Sequence, residues 1–173
     1  PSSADDVRAD VEAGLAAGAT GLKLHNVNGV PYSSPAYEPA FALANERRMP
    51  ILFHSWGQEA EFEQFREIAR RYPDTALLLA HTGSKEEEEY VRVARDCDNV
   101  YLELALSACP RGLVKRLVDN AGAGKVVWGS DVCFINQAQQ LGKVLGARIP
   151  DDDKERILSG NARRILSRVR DAA

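Results

Sequence analysis

The chain has 173 residues, of which 45% are hydrophobic and 27% charged, so it is long and apolar enough to bury the core of one domain. Its net charge of −3 and its lack of a basic block argue against binding to nucleic acid or a membrane surface, and its apolar runs are too short to span a bilayer. The three cysteines, Cys97, Cys109 and Cys133, show no CxxC spacing, which favours reduced thiols in a cytoplasmic protein over a disulfide framework or a zinc knuckle.

Five short runs along the chain have the length and the β-branched or leucine-rich composition of strands. The interval between successive runs leaves room for one helix and two turns. The predicted strands are Gly21–His25, Ile51–Trp56, Ala76–His81, Val100–Leu106 and Val126–Asp131.

Helix signals fill the intervals between these runs. Ser3 with Asp6, and Ser84 with Glu87, have the spacing of a capping box, and Ser34 before Pro35 is typical of an N-cap. Two helices are predicted to end near Ala17 and Arg48, and one to begin at Ser84; the others are predicted over Gln58–Arg71, Arg111–Asn120, Ile135–Leu145, Asp151–Ser159 and Asn161–Arg170.

Strict alternation of strand and helix predicts parallel strands joined by right-handed crossovers. An open doubly wound sheet and a closed barrel both satisfy that pattern. The positions of the polar residues favour the barrel, so we predict an α/β fold: residues 1–173 form one domain of five units of a (β/α) TIM-type barrel.

Polar residues end four of the predicted strands and interrupt their apolar runs. All three histidines of the chain, His25, His54 and His81, stand at such an end, and Asp131 ends the fifth strand. Because parallel strands present their carboxyl ends at one rim, where barrel enzymes place their sites, these side chains are expected to converge. Imidazoles and a carboxylate at one rim suit Zn²⁺, Mn²⁺ or Fe²⁺, and the same groups also suit acid–base chemistry without a metal.

Period-two alternation assigns the side chains of each strand to two faces. It places Leu52 with His54, Leu77 and Leu79 with His81, and Val127 and Gly129 with Asp131. We expect these faces to point into the barrel.

These strand ends resemble the amidohydrolase superfamily, in its amidohydrolase-related branch of aromatic-acid decarboxylases and lactone hydrolases. The segment Gly18–His25 is similar to that branch's fourth strand and Ile157–Leu166 to its closing helices. Three further segments are similar to the fifth, sixth and eighth strands of that branch. In this order they are Phe53-His54-Ser55, Leu79-Ala80-His81-Thr82-Gly83 and Val126-Val127-Trp128-Gly129-Ser130-Asp131.

The resemblance implies a metal-dependent hydrolase or decarboxylase acting on a small carboxylate-bearing or cyclic substrate. It implies that His54 and Asp131 are metal ligands, with zinc the expected metal, and His81 is the candidate that would bring the set to three. His81 would also hold or polarise the substrate, and Asp131 would serve as general base. No nucleic acid or membrane partner is expected.

The chain departs from the family in one respect: it lacks the His-x-His pair that supplies two metal ligands from the first strand. Its strands match the fourth to the eighth, so about three units are expected to be missing from the front. The alternative to an enzyme is therefore a partial barrel without catalysis, either a fragment or a subunit completed by another chain. A homo-oligomer is one form of such completion. A third possibility, a metal-dependent nuclease barrel, fits the Trp128-Gly129-Ser130 sequence less well.

Further candidates flank the strand ends. Arg111 is a candidate clamp for a substrate carboxylate, or a solvated arginine at a helix start. His25 and Tyr32 are candidate substrate contacts, and Asn26 and Asn28 lie in the same loop as Tyr32. A plain surface loop is an equally good interpretation of that segment. Lys23 is either packed along its stem or, as in other amidohydrolases, carboxylated to bridge two metals. Glu103 belongs to the site or to a buried ion pair, and nothing beside Cys133 marks a thiolate nucleophile.

Overall fold

The computed structural model describes residues 3–27 and 29–170. Its helices are α1 (Ala4–Ala16), α2 (Glu38–Arg47), α3 (Glu59–Arg71), α4 (Glu87–Asp96), α5 (Leu113–Ala121), α6 (Gln137–Leu145), α7 (Asp151–Glu155) and α8 (Asn161–Leu166). Its strands are β1 (Leu22–Leu24), β2 (Ile51–Phe53), β3 (Leu77–Leu79), β4 (Val100–Glu103) and β5 (Val126–Val127). Short 3₁₀ turns cover Pro35–Tyr37 and Ala123–Lys125, and a π-helical turn, Arg156–Gly160, joins α7 to α8.

The five strands form one parallel sheet in the order β1-β2-β3-β4-β5. The predicted topology is therefore confirmed. The strands are shorter than predicted, because His25, His54, His81 and Asp131 lie just beyond the regular pairing. The polar strand ends are thus loop positions, held at the carboxyl edge of the sheet by the strands that precede them.

One face of the sheet packs under the helices. Ile51, Phe53, Leu77, Leu79 and Leu102 are fully buried there, in one core with the apolar sides of the helices. A fully buried leucine or phenylalanine contributes about 1.5–3 kcal/mol relative to an exposed one, so this face carries much of the stability of the fold.

The opposite face carries a row of paired residues across the sheet. Lys23 pairs with Leu52, Leu52 with Leu78, and Leu78 with Tyr101. Val127 pairs with Glu103 on the same face, two residues further along β4 than Tyr101. Ile165 of α8 packs against this face with Leu78, Tyr101 and Val127.

The register corrects one prediction. Leu52 and Val127 lie on the expected face, but Leu77 and Leu79 pack into the core under the helices. Leu78 takes the position predicted for them. His81 reaches the rim by another route, since its backbone turns with φ of 63° and the alternation of β3 ends before it.

The helix starts follow local hydrogen bonding. The Ser3 hydroxyl accepts from the Asp6 amide at 3.1 Å, as predicted for α1. The predicted capping box at Ser84 is wrong: α4 begins after Glu86, which makes no side-chain cap, and the Ser84 hydroxyl lies 3.3 Å from the Tyr90 hydroxyl.

The closing segment anchors β5. The Asn161 side chain is buried and donates to the carbonyl oxygens of Ala123 at 2.8 Å and Val126 at 2.7 Å. The Gly-Asn-Ala-Arg-Arg segment therefore has a structural role, which is to hold the strand that leads to Asp131. Across residues 3–27 and 29–170, every helix is too short or too polar to cross a membrane.

Candidate active site

The three histidines form a row at the carboxyl edge of the sheet, as predicted. The His25 ring stacks on the His54 ring with centroids 3.9 Å apart, and the His54 and His81 centroids are 4.6 Å apart. His54 and His81 are buried, whereas His25 is exposed. Three neighbouring strands thus bring all three imidazoles of the chain into contact.

Hydrogen bonds determine which nitrogen of each ring carries its proton. His81 Nδ1 contacts the Ala105 carbonyl oxygen, which only accepts, so that nitrogen is the donor. His81 Nε2 is then the acceptor from His54 Nδ1, 3.1 Å away. His54 Nε2 is left with a lone pair.

The lone pair of His54 Nε2 is buried and has no hydrogen-bond partner among the residues the structure describes. Burial, and after it the neighbouring His25, His81 and Lys23, lower the pKa of His54 to about 4. The ring is therefore neutral near pH 7. A neutral imidazole with an unused buried lone pair is the form in which histidine binds a metal.

Glu103, the last residue of β4, is a buried carboxylate beside His81. It accepts from the His81 amide at 3.4 Å and from the Ala105 amide at 3.1 Å. Burial raises the pKa of Glu103 to about 7, against the opposing effect of these two amides and the Lys23 ammonium. The acidic residue noted mid-strand in the sequence therefore belongs to the site.

Asp131 lies beyond β5, half-buried, in the left-handed region with φ of 50°. Its negative charge acts to raise the pKa of both Glu103 and Lys23. Within the part of the chain described here, no group of three His, Cys, Asp or Glu side chains is arranged to hold a metal. The ligand set His54, His81 and Asp131 stays a prediction, in which His81 Nε2 is already engaged by His54.

Tyr32, predicted to contact substrate, is only 1% exposed. Its hydroxyl donates to the His54 carbonyl oxygen at 2.7 Å, and its ring packs on Phe53. Because a side chain so deeply buried cannot reach a substrate, its position gives Tyr32 a supporting role under His54 instead.

Two residues of the site were not predicted. The Trp56 ring, half exposed, lies 4.2 Å from the His54 ring and forms one wall of the rim. Glu61, buried in the first turn of α3, accepts from the Trp56 amide at 3.1 Å and from the Asn26 side chain at 2.9 Å. The Gln58–Glu61 spacing of a capping box was the available signal for this carboxylate. Asn28, the other loop candidate, lies outside the described residues.

Arg111 lies away from the histidine row. It lines a cavity of about 480 Å³ between the start of α5 and the end of α6, together with Lys143 and Arg148. None of the three histidines lines this cavity. Cys133 is exposed.

Comparisons with known proteins give the family and the fold of the chain. A family model described as Amidohydrolase matches residues 1–168. No curated protein sequence matches the chain significantly.

Solved structures share the fold at low sequence identity. An uncharacterized TIM-barrel protein from Bordetella bronchiseptica is 17% identical with a TM-score of 0.85, over 97% of this chain and 64% of that protein. A dihydroxybenzoic acid decarboxylase from Polaromonas sp. JS666, solved with manganese and 2-nitroresorcinol, is 14% identical with a TM-score of 0.75, over 95% and 66%. A 4-oxalomesaconate hydratase from Rhodopseudomonas palustris is 14% identical with a TM-score of 0.71, over 92% and 59%. The chain thus spans about two thirds of the length of these relatives and has the fold of part of a TIM barrel.

Proposed function

The chain belongs to the amidohydrolase family, and from that membership we propose that it provides the strand-end site of a metal-dependent hydrolase or decarboxylase. The substrate we propose is a small carboxylate-bearing or cyclic molecule. Because the chain spans only part of its relatives, activity is proposed for the assembled barrel rather than for these five units alone.

One observation carries the proposal: the buried, unpartnered lone pair of His54 Nε2 within the described part of the chain. A buried polar atom without a partner costs about 1–3 kcal/mol, which supports a bound ligand at this position in the native site. A divalent cation is the ligand that a neutral imidazole lone pair suits best.

The donor set fits a metal in part. We propose that His54 and Asp131 contribute a nitrogen and a carboxylate oxygen, and that further ligands come from a segment or chain that completes the barrel. The manganese in the Polaromonas decarboxylase supports a divalent cation without favouring zinc. When bound, such a cation would act as a Lewis acid toward water or a substrate oxygen.

The protein groups have separable roles in this proposal. Asp131, half-exposed at the rim, takes a proton from a water or a substrate group as general base. His81 makes a hydrogen bond at each ring nitrogen, so its one N–H is used on the Ala105 carbonyl; it fixes the His54 ring by accepting from His54 Nδ1. The exposed His25 and Trp56 bound the space above His54 and limit the entry of water. Arg111, in a separate cavity, is assigned no step.

Metal binding tests the proposal directly. Isothermal titration of the metal-free chain with Mn²⁺ and with Zn²⁺ should show one site, and His54→Asn should weaken it by at least about tenfold. His25→Asn is the matched control, because His25 stacks on the same ring and its Nδ1 already accepts from the Val27 amide at 3.0 Å. Equal affinities in the wild type and His54→Asn would overturn the assignment of His54.

A further inference from the structure

Glu103 occupies a central place between the two elements that carry His81 and Asp131. Its side chain is 6% exposed, and its two oxygens accept from different backbone amides, Oε2 from His81 and Oε1 from Ala105. Its own carbonyl oxygen accepts from the Thr82 amide at 3.0 Å. One residue therefore holds the turn that follows β3 at two points and the segment that follows β4 at a third.

These contacts close a ring of interactions around His81. The carboxylate holds the His81 and Ala105 amides, and the Ala105 carbonyl in turn contacts His81 Nδ1. The backbone and the imidazole of His81 are thus both tied to the short segment from Glu103 to Ala105 at the end of β4. His81 also needs such support because its φ of 63° is unfavourable for a residue with a side chain.

The same carboxylate shapes the segment that leads to Asp131. A Cβ atom placed on Gly129 would lie 1.5 Å from Glu103 Oε1, so the carboxylate fills the space that any larger residue would take. The absence of a side chain at Gly129 lets the backbone leading to Asp131 pass directly against Glu103. The Gly-Ser-Asp sequence and the glutamate are therefore one fitted unit.

We propose that Glu103 is the positioning residue of the site: it keeps His81 in the form protonated at Nδ1, with Nε2 as acceptor, and supports the Gly129–Asp131 segment. This inference rests on the proposed function for its catalytic meaning, but the geometry it asserts does not depend on a bound metal. Without the carboxylate, the Ala105 amide loses its acceptor, and the carbonyl that holds the imidazole is free to turn.

Nitrogen NMR of the imidazoles tests the proposal on the metal-free chain at pH 9, where histidine side chains are neutral. In the wild type, His81 should appear as the Nδ1-protonated tautomer. In Glu103→Ala it should become a mixture in which a substantial fraction is protonated at Nε2. Glu103→Gln, which keeps one acceptor oxygen, should give a smaller shift in the same direction and serves if the alanine variant fails to fold.

Two controls separate positioning from general loosening of the fold. His25, whose Nδ1 accepts from the Val27 amide, should keep its Nε2-protonated form in every variant. Glu61→Gln alters another buried carboxylate, one that contacts Trp56 and Asn26, and should leave His81 unchanged. An unchanged His81 tautomer in a folded Glu103 variant would overturn the proposal. Failure of metal binding would count against the proposed function alone.

Discussion

At the scale of single residues, the histidine row has a direction. The Ala105 carbonyl fixes the His81 proton on Nδ1, so His81 Nε2 accepts from His54 Nδ1. The His54 Nε2 lone pair then has no partner among the described residues. His25 stands outside this chain of bonds, because its Nδ1 is engaged by the Val27 amide and its ring only stacks. The three histidines are alike in sequence context, yet their hydrogen bonds give them different chemistry.

Asp131→Asn tests the predicted general base. Asparagine is isosteric and tolerates the left-handed backbone of this position, so the fold should persist, with a melting temperature within a few degrees of the wild type. Turnover by the active assembly should fall by about 10²–10⁴-fold, the usual contribution of a positioned base. Activity and melting are to be measured on the same sample, and full retained turnover would show that Asp131 is not the base.

The shifted pKa values of Glu103 and His54 predict opposing effects of pH on stability. The pKa of Glu103 is raised to about 7, so the folded protein keeps the Glu103 proton up to a higher pH than the unfolded chain does. The contribution of Glu103 to the free energy of unfolding therefore declines as pH rises from about 4.5 to 7. The pKa of His54 is lowered to about 4, so its contribution is lost as pH falls from about 6.5 to 4. In the wild type these two effects partly cancel.

Glu103→Gln removes one side of that balance. The free energy of unfolding of the variant minus that of the wild type should rise by about 1–3 kcal/mol between pH 4.5 and pH 7, since each pKa unit is worth about 1.4 kcal/mol. Urea unfolding in the presence of a chelator measures both proteins without metal. Parallel pH curves would contradict a titrating, buried Glu103.

At the scale of elements, β3 shows where sequence patterns lose information. Leu77, Leu78 and Leu79 are all apolar, so alternation along the strand has no readable phase. Counting alternate residues back from His81 assigned Leu77 and Leu79 to the wrong face, because the positive φ of His81 breaks the alternation. Strand β2 was assigned correctly because no such turn separates Leu52 from His54.

The fit between Glu103 and Gly129 predicts a steric effect that links two strands. Gly129→Ala should destabilise the chain by about 1–3 kcal/mol, the typical cost of an overpacked site, since the carboxylate is pinned by two amides and has little room to move. Chemical denaturation measures the change in the free energy of unfolding.

Gly124→Ala is the matched control for that variant. A Cβ at Gly124 meets nothing within 4 Å, so its effect should be near zero or slightly stabilising. In a Glu103→Ala background, Gly129→Ala should lose most of its cost. Equal costs of Gly129→Ala with and without Glu103 would show that the two residues are not in contact.

At the scale of the whole molecule, strand order, parallel direction and the meeting of His54 with His81 were predictable, because alternation and strand-end polarity are local signals. Three features were not predictable, because they depend on contacts between loops of different units. They are the protonated nitrogens of His54 and His81, the burial of Tyr32 and the position of Arg111. Among the described residues, the outer edge of β1 has no partner strand, whereas the closing segment covers that of β5. There the Asn161 side chain donates to the Val126 carbonyl and the Trp128 amide donates to the Ile157 carbonyl. Exposed edges of parallel strands favour pairing with another chain or segment.

Substitution at Lys23 tests that pairing at the β1 edge. The Leu22 amide donates to Pro50 and the Leu24 carbonyl accepts from His54, so the amide between them, that of Lys23, points to the open side. We expect the chain to self-associate or to bind a completing segment through this edge. Lys23→Pro removes the open donor without breaking the β1–β2 bonds and should shift the chain toward monomer. Lys23→Ala removes the side chain beyond Cβ but keeps the backbone amide, so it should associate like the wild type, as judged by size-exclusion chromatography with light scattering. A wild-type chain that stays monomeric at high concentration and binds metal tightly in a 1:1 ratio would refute both the open edge and the need for ligands from outside.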